Sequence, residues 1–164
     1  MTDLPNGIST AIFYQSSIFD VLENIRNGGF NMIEICSAPR HLDYHDLDKA
    51  DAAGRLIRNL GLEPFSFHAP FADHIDITAL NPEDRNRAVN ERLQATEAAA
   101  RLGVRHLVIH PGPEEESCPP PEERYIRMAN GADSLNRVAQ RCRERGLHLA
   151  LENMLPHLLF GHTS

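Results

Sequence analysis

Cysteine is scarce in this 164-residue chain: Cys36, Cys118 and Cys142 are the only three, and no two stand in a C-x-x-C spacing. An odd count without close pairs reads as free thiols in a reducing compartment, so no disulfide framework is expected and the three are assigned no chemistry. No apolar run approaches the ~20 residues that a membrane helix needs. The start, Met1-Thr2-Asp3-Leu4-Pro5-Asn6-Gly7, lacks the basic and apolar segments of a secretion signal, which makes the cytoplasm the default expectation. Positive charge is in deficit as well. The formal net charge of −7 opposes a nucleic-acid partner, because a phosphate backbone demands a basic surface. It does not oppose an anionic small substrate if a metal ion supplies the local positive charge.

What is present is enough for one globular domain with a real core: 41% of residues are hydrophobic and 24% charged. The informative pattern is a repeated rhythm of helix, glycine and apolar strand. It occurs around Gly29 before Met32-Ile33-Glu34-Ile35, and around Gly61 before Phe65-Ser66-Phe67-His68. It recurs around Gly103 before His106-Leu107-Val108-Ile109-His110, and around Gly146 before His148-Leu149-Ala150-Leu151-Glu152. Each glycine suits the left-handed position that closes a helix, and each run after it has the length and composition of a strand.

The intervening segments read as helices. Ser17 to Asn27 opens with a Ser-x-x-Asp pattern and carries Ile18, Val21, Leu22 and Ile25 on one face. Asp46 to Leu60 is alanine-rich. Asn81-Pro82-Glu83-Asp84 combines a capping Asn, a first-turn Pro and acids facing the positive helix end, and starts a helix to Leu102. Pro121-Glu122-Glu123 starts another that ends near Gly146 with Arg141, Arg143 and Arg145 in its last turns. A first strand is expected over Ile8 to Phe13.

The order β-α-β-α-β-α-β-α-β means an α/β protein with a parallel sheet and right-handed crossovers. Such a sheet is either an open doubly wound one or part of a barrel. An open five-strand domain normally ends with a helix over its last strand, whereas the residues after Glu152 read as a loop cut before its helix. A whole (β/α)8 TIM barrel needs roughly 250 residues. The expectation is therefore a single domain, residues 1–164, forming the N-terminal five βα units of a truncated, cleaved or partly observed barrel.

In a parallel α/β array all strand C-terminal ends lie on one face, and polar residues there form the expected site. Glu34, His68, His110 and Glu152 each stand one strand length beyond a repeat glycine, after runs that are otherwise mostly apolar. Two imidazoles and a carboxylate suit Zn²⁺, Mn²⁺ or Co²⁺, and carboxylate-rich sets favour Mg²⁺ or Mn²⁺. His68, His110 and Glu152 are the expected ligands. Glu34 either orients substrate or a ligand, or pairs with a neighbour. Asp73 and Asp76 are candidates to accept a hydrogen bond from a ligand histidine. His41, His45, His74, His106, His148, His157 and His162 read as hydrogen-bonded or surface residues. The acidic, proline-rich stretch 111–123 reads as a stiff solvated excursion.

At these residues the chain resembles the xylose-isomerase-like barrel superfamily, which contains sugar isomerases and epimerases and the endonuclease IV type of AP endonuclease. The matching stretches are Phe67-His68-Ala69-Pro70-Phe71, Asp76-Ile77-Thr78-Ala79-Leu80-Asn81-Pro82, Val108-Ile109-His110-Pro111-Gly112-Pro113 and Leu151-Glu152-Asn153-Met154. The resemblance implies that His68 and His110 correspond to histidines that bind one zinc in the endonuclease branch. It implies that Glu152 is the fifth-strand glutamate, which bridges metals in that branch and, in the epimerase branch, binds one metal and takes part in proton transfer. It places Asn153 beside Glu34 as a substrate-binding residue. The family's remaining ligands come from strands six to eight, which are not in this sequence.

Three functions compete. One is a divalent-metal-dependent sugar or sugar-phosphate isomerase or epimerase, with Glu152 as the catalytic carboxylate and a carbohydrate as substrate. Another is a zinc-dependent AP endonuclease, which the paired histidines favour and the net charge and acidic loop oppose. The last is an inactive half-barrel, whose first and fifth strands would be open edges inviting homo-oligomers.

Overall fold

The computed structural model describes residues 6–72, 74–112 and 119–153. Five strands, β1 (Gly7–Ser9), β2 (Met32–Cys36), β3 (Glu63–His68), β4 (His106–Ile109) and β5 (His148–Leu151), form one sheet. Every pairing is parallel, and the strands lie in the order in which they occur along the chain. A doubly wound sheet reverses its strand order at a switch point. This one does not, so the winding is that of a barrel wall.

Four helices alternate with the strands: α1 (Ile18–Asn27), α2 (Leu47–Asn59), α3 (Pro82–Leu102) and α4 (Pro121–Glu144). Their starts follow from local chemistry. Ser17 Oγ accepts from Phe19 N–H, an Asp46 carboxylate oxygen accepts from Lys49 N–H, and Asn81 Oδ1 accepts from Glu83 and Asp84 N–H. Their ends use the four repeat glycines. Gly29, Gly61, Gly103 and Gly146 have φ of 88°, 70°, 77° and 72°, the left-handed region that glycine enters without steric cost.

One expectation fails at the first strand. It ends at Ser9, and Thr10–Phe13 form a 3₁₀ turn instead of continuing to Phe13. The cause is two hydroxyls. Ser9 Oγ accepts from Ala11 N–H at 3.3 Å and caps the turn. Thr10 Oγ1 accepts from Cys36 N–H at 3.0 Å and lies 2.9 Å from His41 Nε2. Side-chain oxygens that bond nearby backbone compete with a strand ladder in this way.

Alternation along the strands separates two faces. Ile33, Ile35, Phe67, Leu107 and Ile109 are fully buried and meet Leu22, Ala53, Ile57, Ala95, Ala99 and Leu102 from the helices. Residues of opposite parity, Glu34, Ser66, His68, His106 and Val108, point to the other face, away from the helices. Pairing in register (Ser9 with Glu34, Glu34 with Ser66, Ser66 with His106, His106 with His148) brings that polar set into rows across the sheet. Cys36 and Cys142 are buried, and burial pushes both thiols up, so neither is a thiolate at neutral pH. Cys118 lies outside the described residues. No described helix is long and apolar enough to cross a membrane.

Candidate metal centre

Three elements deliver the site. His68 is the last residue of β3, while His110 and Glu152 each stand one residue beyond β4 and β5. Parallel pairing puts these three ends on one rim. There His68 Nε2 lies 2.8 Å and His110 Nε2 3.1 Å from the same oxygen, Glu152 Oε2. The imidazole rings meet edge to face, with centroids 5.0 Å apart. Each of the three residues offers a ligand atom, and those atoms all lie within 4.8 Å of one another.

Whether this set suits a metal ion follows from its protons. His68 Nδ1 is 3.0 Å from the carbonyl oxygen of Ala69, a contact that requires an N–H, so the hydrogen bond assigns the proton to Nδ1. A neutral His68 then turns the bare lone pair of Nε2 towards a carboxylate oxygen. Two acceptors at that distance repel each other unless a proton or a cation lies between them. Metal-binding histidines show this same arrangement, with the remote N–H held by a carbonyl or carboxylate. Ligands at 2.0–2.2 Å from one ion stand roughly 3–4 Å apart, which the cluster allows. The residues present therefore fit a divalent ion. Burial raises the Glu152 carboxyl, but the two imidazoles beside it outweigh burial and hold the group below the ordinary glutamate range. Glu152 is thus an anion at neutral pH with half its side chain open to solvent, while His68 and His110 are largely covered.

The other sequence-derived residues divide. Glu34 lines the same cavity as the three ligands, and its two oxygens accept from Ser9 Oγ at 2.9 Å and Ser66 Oγ at 3.1 Å. It is thereby held in place on the inner face of the sheet. Asn153 is exposed and does not join the cavity wall. Asp76 does not accept from a ligand histidine. It pairs with Arg127 at 2.9 Å and takes hydrogen bonds from the amide and hydroxyl of Thr78, so the carbonyl of Ala69 takes the role expected of it. Asp73 lies outside the described residues, as do His157, His162 and residues 113–118 of the acidic loop. His41 is a buried, doubly hydrogen-bonded core residue, and His45 lies at the surface between Asp43 and Glu91. His106 and His148 begin β4 and β5, away from the rim.

The residue that sequence reasoning passed over is Phe71. Its ring stacks on His110 with centroids 4.7 Å apart and meets His68 edge-on at 5.3 Å. It covers one flank of the two imidazoles. Its place in Phe67-His68-Ala69-Pro70-Phe71 was the available signal. That loop is in turn tied to α4, where Arg127 pairs with Asp76, Asn130 donates to Ala79 O at 3.1 Å, and Ser134 donates to Ile77 O at 2.8 Å.

Residues 22–164 match the family model of the xylose isomerase-like TIM barrel, and the chain belongs to that family. Solved structures with the same fold include a D-tagatose 3-epimerase-like protein, 24% identical with a TM-score of 0.75, for which the alignment covers 92% of this chain and 53% of the other. A D-psicose 3-epimerase from Clostridium cellulolyticum, solved with D-tagatose, is 15% identical with a TM-score of 0.78 and coverages of 94% and 54%. A Thermus thermophilus protein soaked with ZnCl2 is 24% identical with a TM-score of 0.66 and coverages of 93% and 56%. The chain spans about half the length of these structures. No curated protein sequence matches it.

Proposed function

We propose that this chain is the N-terminal part of a divalent-metal-dependent sugar or sugar-phosphate isomerase or epimerase, and that residues 1–164 form one domain of it. The observation that carries the proposal is the convergence of two imidazole nitrogens on one ionised carboxylate oxygen at the strand ends of a parallel sheet. His68, His110 and Glu152 would hold the ion, and both Zn²⁺ and Mn²⁺ suit the donor set, with Mg²⁺ and Co²⁺ as further candidates. When bound, the ion supplies electrophilic polarisation of a carbonyl oxygen and charge neutralisation of the enediolate. The solved relatives named as ketose 3-epimerases support a carbohydrate substrate.

The chain's own residues supply the rest. Glu152 is ionised and accessible, as a base removing a proton from the carbon beside a carbonyl must be. Glu34 is fixed by two hydroxyls in the same cavity and would accept from a substrate hydroxyl. Asn153, on the exposed loop after Glu152, would contact substrate from outside the cavity. Phe71 keeps water from one flank of the histidines. Within the described residues β1 and β5 each pair on one side only, which supports self-association through an edge.

The test is isotope exchange. The metal-loaded chain is incubated in D₂O with D-fructose, D-tagatose, D-psicose and L-ribulose, and the C–H beside each carbonyl is followed by NMR. The proposal expects deuterium uptake at that carbon in at least one ketose, and its loss in Glu152→Gln. No uptake from any of them in a chain carrying one ion would overturn it. The zinc-dependent endonuclease reading is favoured only by the paired histidines, and the net charge of −7 opposes it. Salt-dependent binding to an abasic duplex would revive it.

A further inference from the structure

A second cavity, about 530 Å³ in volume, adjoins the one that contains His68, His110 and Glu152. Ala11, Cys36 and Phe71 line both and form the boundary between them. Beyond that boundary the wall is built mainly of Ala38, Pro39, Pro70, Ala72 and Ile75, with Tyr14, Ser37 and His74 as polar members at its margin. Tyr44 borders it too, but its hydroxyl is committed to Glu91 at 2.5 Å. A sugar hydroxyl placed against alanine, proline and isoleucine would give up its hydrogen bonds to water and gain few in return. An aliphatic or aromatic group placed there would be removed from water at no such cost. Phe71 separates the two spaces, with one face on His110 and 45% of its surface still open.

Size points the same way. The metal-centre cavity alone is about 500 Å³, within the range that holds a small ligand. A free sugar bound there would leave the neighbouring space to water, which is poorly accommodated by apolar walls. We propose that this second cavity takes an apolar substituent of the molecule bound at the metal centre, so that the substrate class extends to sugar derivatives carrying an aryl or alkyl group, which bind more tightly than the sugar without it. The inference rests on the metal-dependent sugar reading given above and adds the substrate class to it.

The experiment is calorimetric titration of the full chain loaded with Mn²⁺, using matched phenyl and methyl β-D-glycosides of glucose, galactose and xylose. The inference expects the phenyl member of at least one pair to bind about tenfold more tightly, as burial of a ring of this size against apolar walls gives. Ala38→Phe, and independently Ala72→Leu, fill the cavity without touching His68, His110 or Glu152. Either should erase the phenyl preference while leaving metal stoichiometry and methyl-glycoside affinity unchanged. Equal affinity within every pair, or a preference that survives both fillings in folded chains, would overturn the inference. A chain that carries one ion yet shows no phenyl preference refutes this inference alone. A chain that takes up no ion refutes the metal reading and this inference with it.

Discussion

The two faces of the sheet are made from the same strands, one residue apart, yet follow opposite rules. On the helix-covered face Ile33, Ile35, Phe67, Leu107 and Ile109 lose all contact with solvent. On the other, Glu34, Ser66, His68, His110 and Glu152 contribute nitrogen and oxygen atoms that bond one another. The first face secures the fold by removing apolar area from water; the second uses the fold to force acceptors together that would separate in solution. A site of this kind is stabilised by whatever charge it captures, and the apolar layer behind it resists its relaxation.

Substitutions on each face break that comparison in different ways. The largest effect is expected for Phe67→Ala, which empties the centre of the apolar layer and should lower stability by about 3–5 kcal/mol in urea unfolding. A loss under about 1 kcal/mol would show that the layer is loosely packed. Gly54→Ala comes next. A Cβ there would stand 2.7 Å from the carbonyl oxygen of Leu102 where α2 crosses α3, and parting the helices should cost about 1–3 kcal/mol. Unchanged unfolding would disprove that close approach.

Arg92 sharpens the contrast because it is the charged exception on the helix side. It is 1% exposed, and its Nε and Nη1 have no hydrogen-bond partner among the described residues. Burial lowers its guanidinium to about 10, against the opposing charges of the Asp76 and Glu91 carboxylates, so it stays charged at neutral pH. A buried charge with two unpaired donors is costly, and Arg92→Met should raise stability by about 1 kcal/mol. A fall in the unfolding midpoint would instead show that the charge is compensated. The smallest effect is expected on the polar face. Ser66→Ala removes one hydroxyl from Glu34 and should cost about 1 kcal/mol in the same unfolding assay, leaving metal affinity within about twofold. A larger loss of affinity would place Glu34 among the ligands.

Much of this architecture was legible in the residues. The repeat glycines announced four helix-to-strand transitions because only glycine enters the left-handed region freely, and Ser17 and Asn81 announced helix starts through oxygens that match free amides. Position at strand ends singled out His68, His110 and Glu152 without any coordinates. What escaped depended on contacts between distant segments. The end of β1 turns on Thr10 meeting Cys36 and His41, and Asp76 does not accept from a histidine of the site because Arg127, far along the chain, claims it. Phe71 reads as one more loop aromatic until its ring is seen over two histidines. Arg92 reads as a solvated helix residue until its face of α3 is found in the core.

Every functional step above requires that the three rim side chains share one ion, and ion binding measures this directly. Metal-free wild-type chain should take up one Zn²⁺ or Mn²⁺ per chain in equilibrium dialysis. His68→Ala and His110→Ala should each weaken that binding by more than about 100-fold, beyond the 10–100-fold typical of losing only a group that supports a ligand. Uptake by wild type that either substitution leaves unchanged would contradict it.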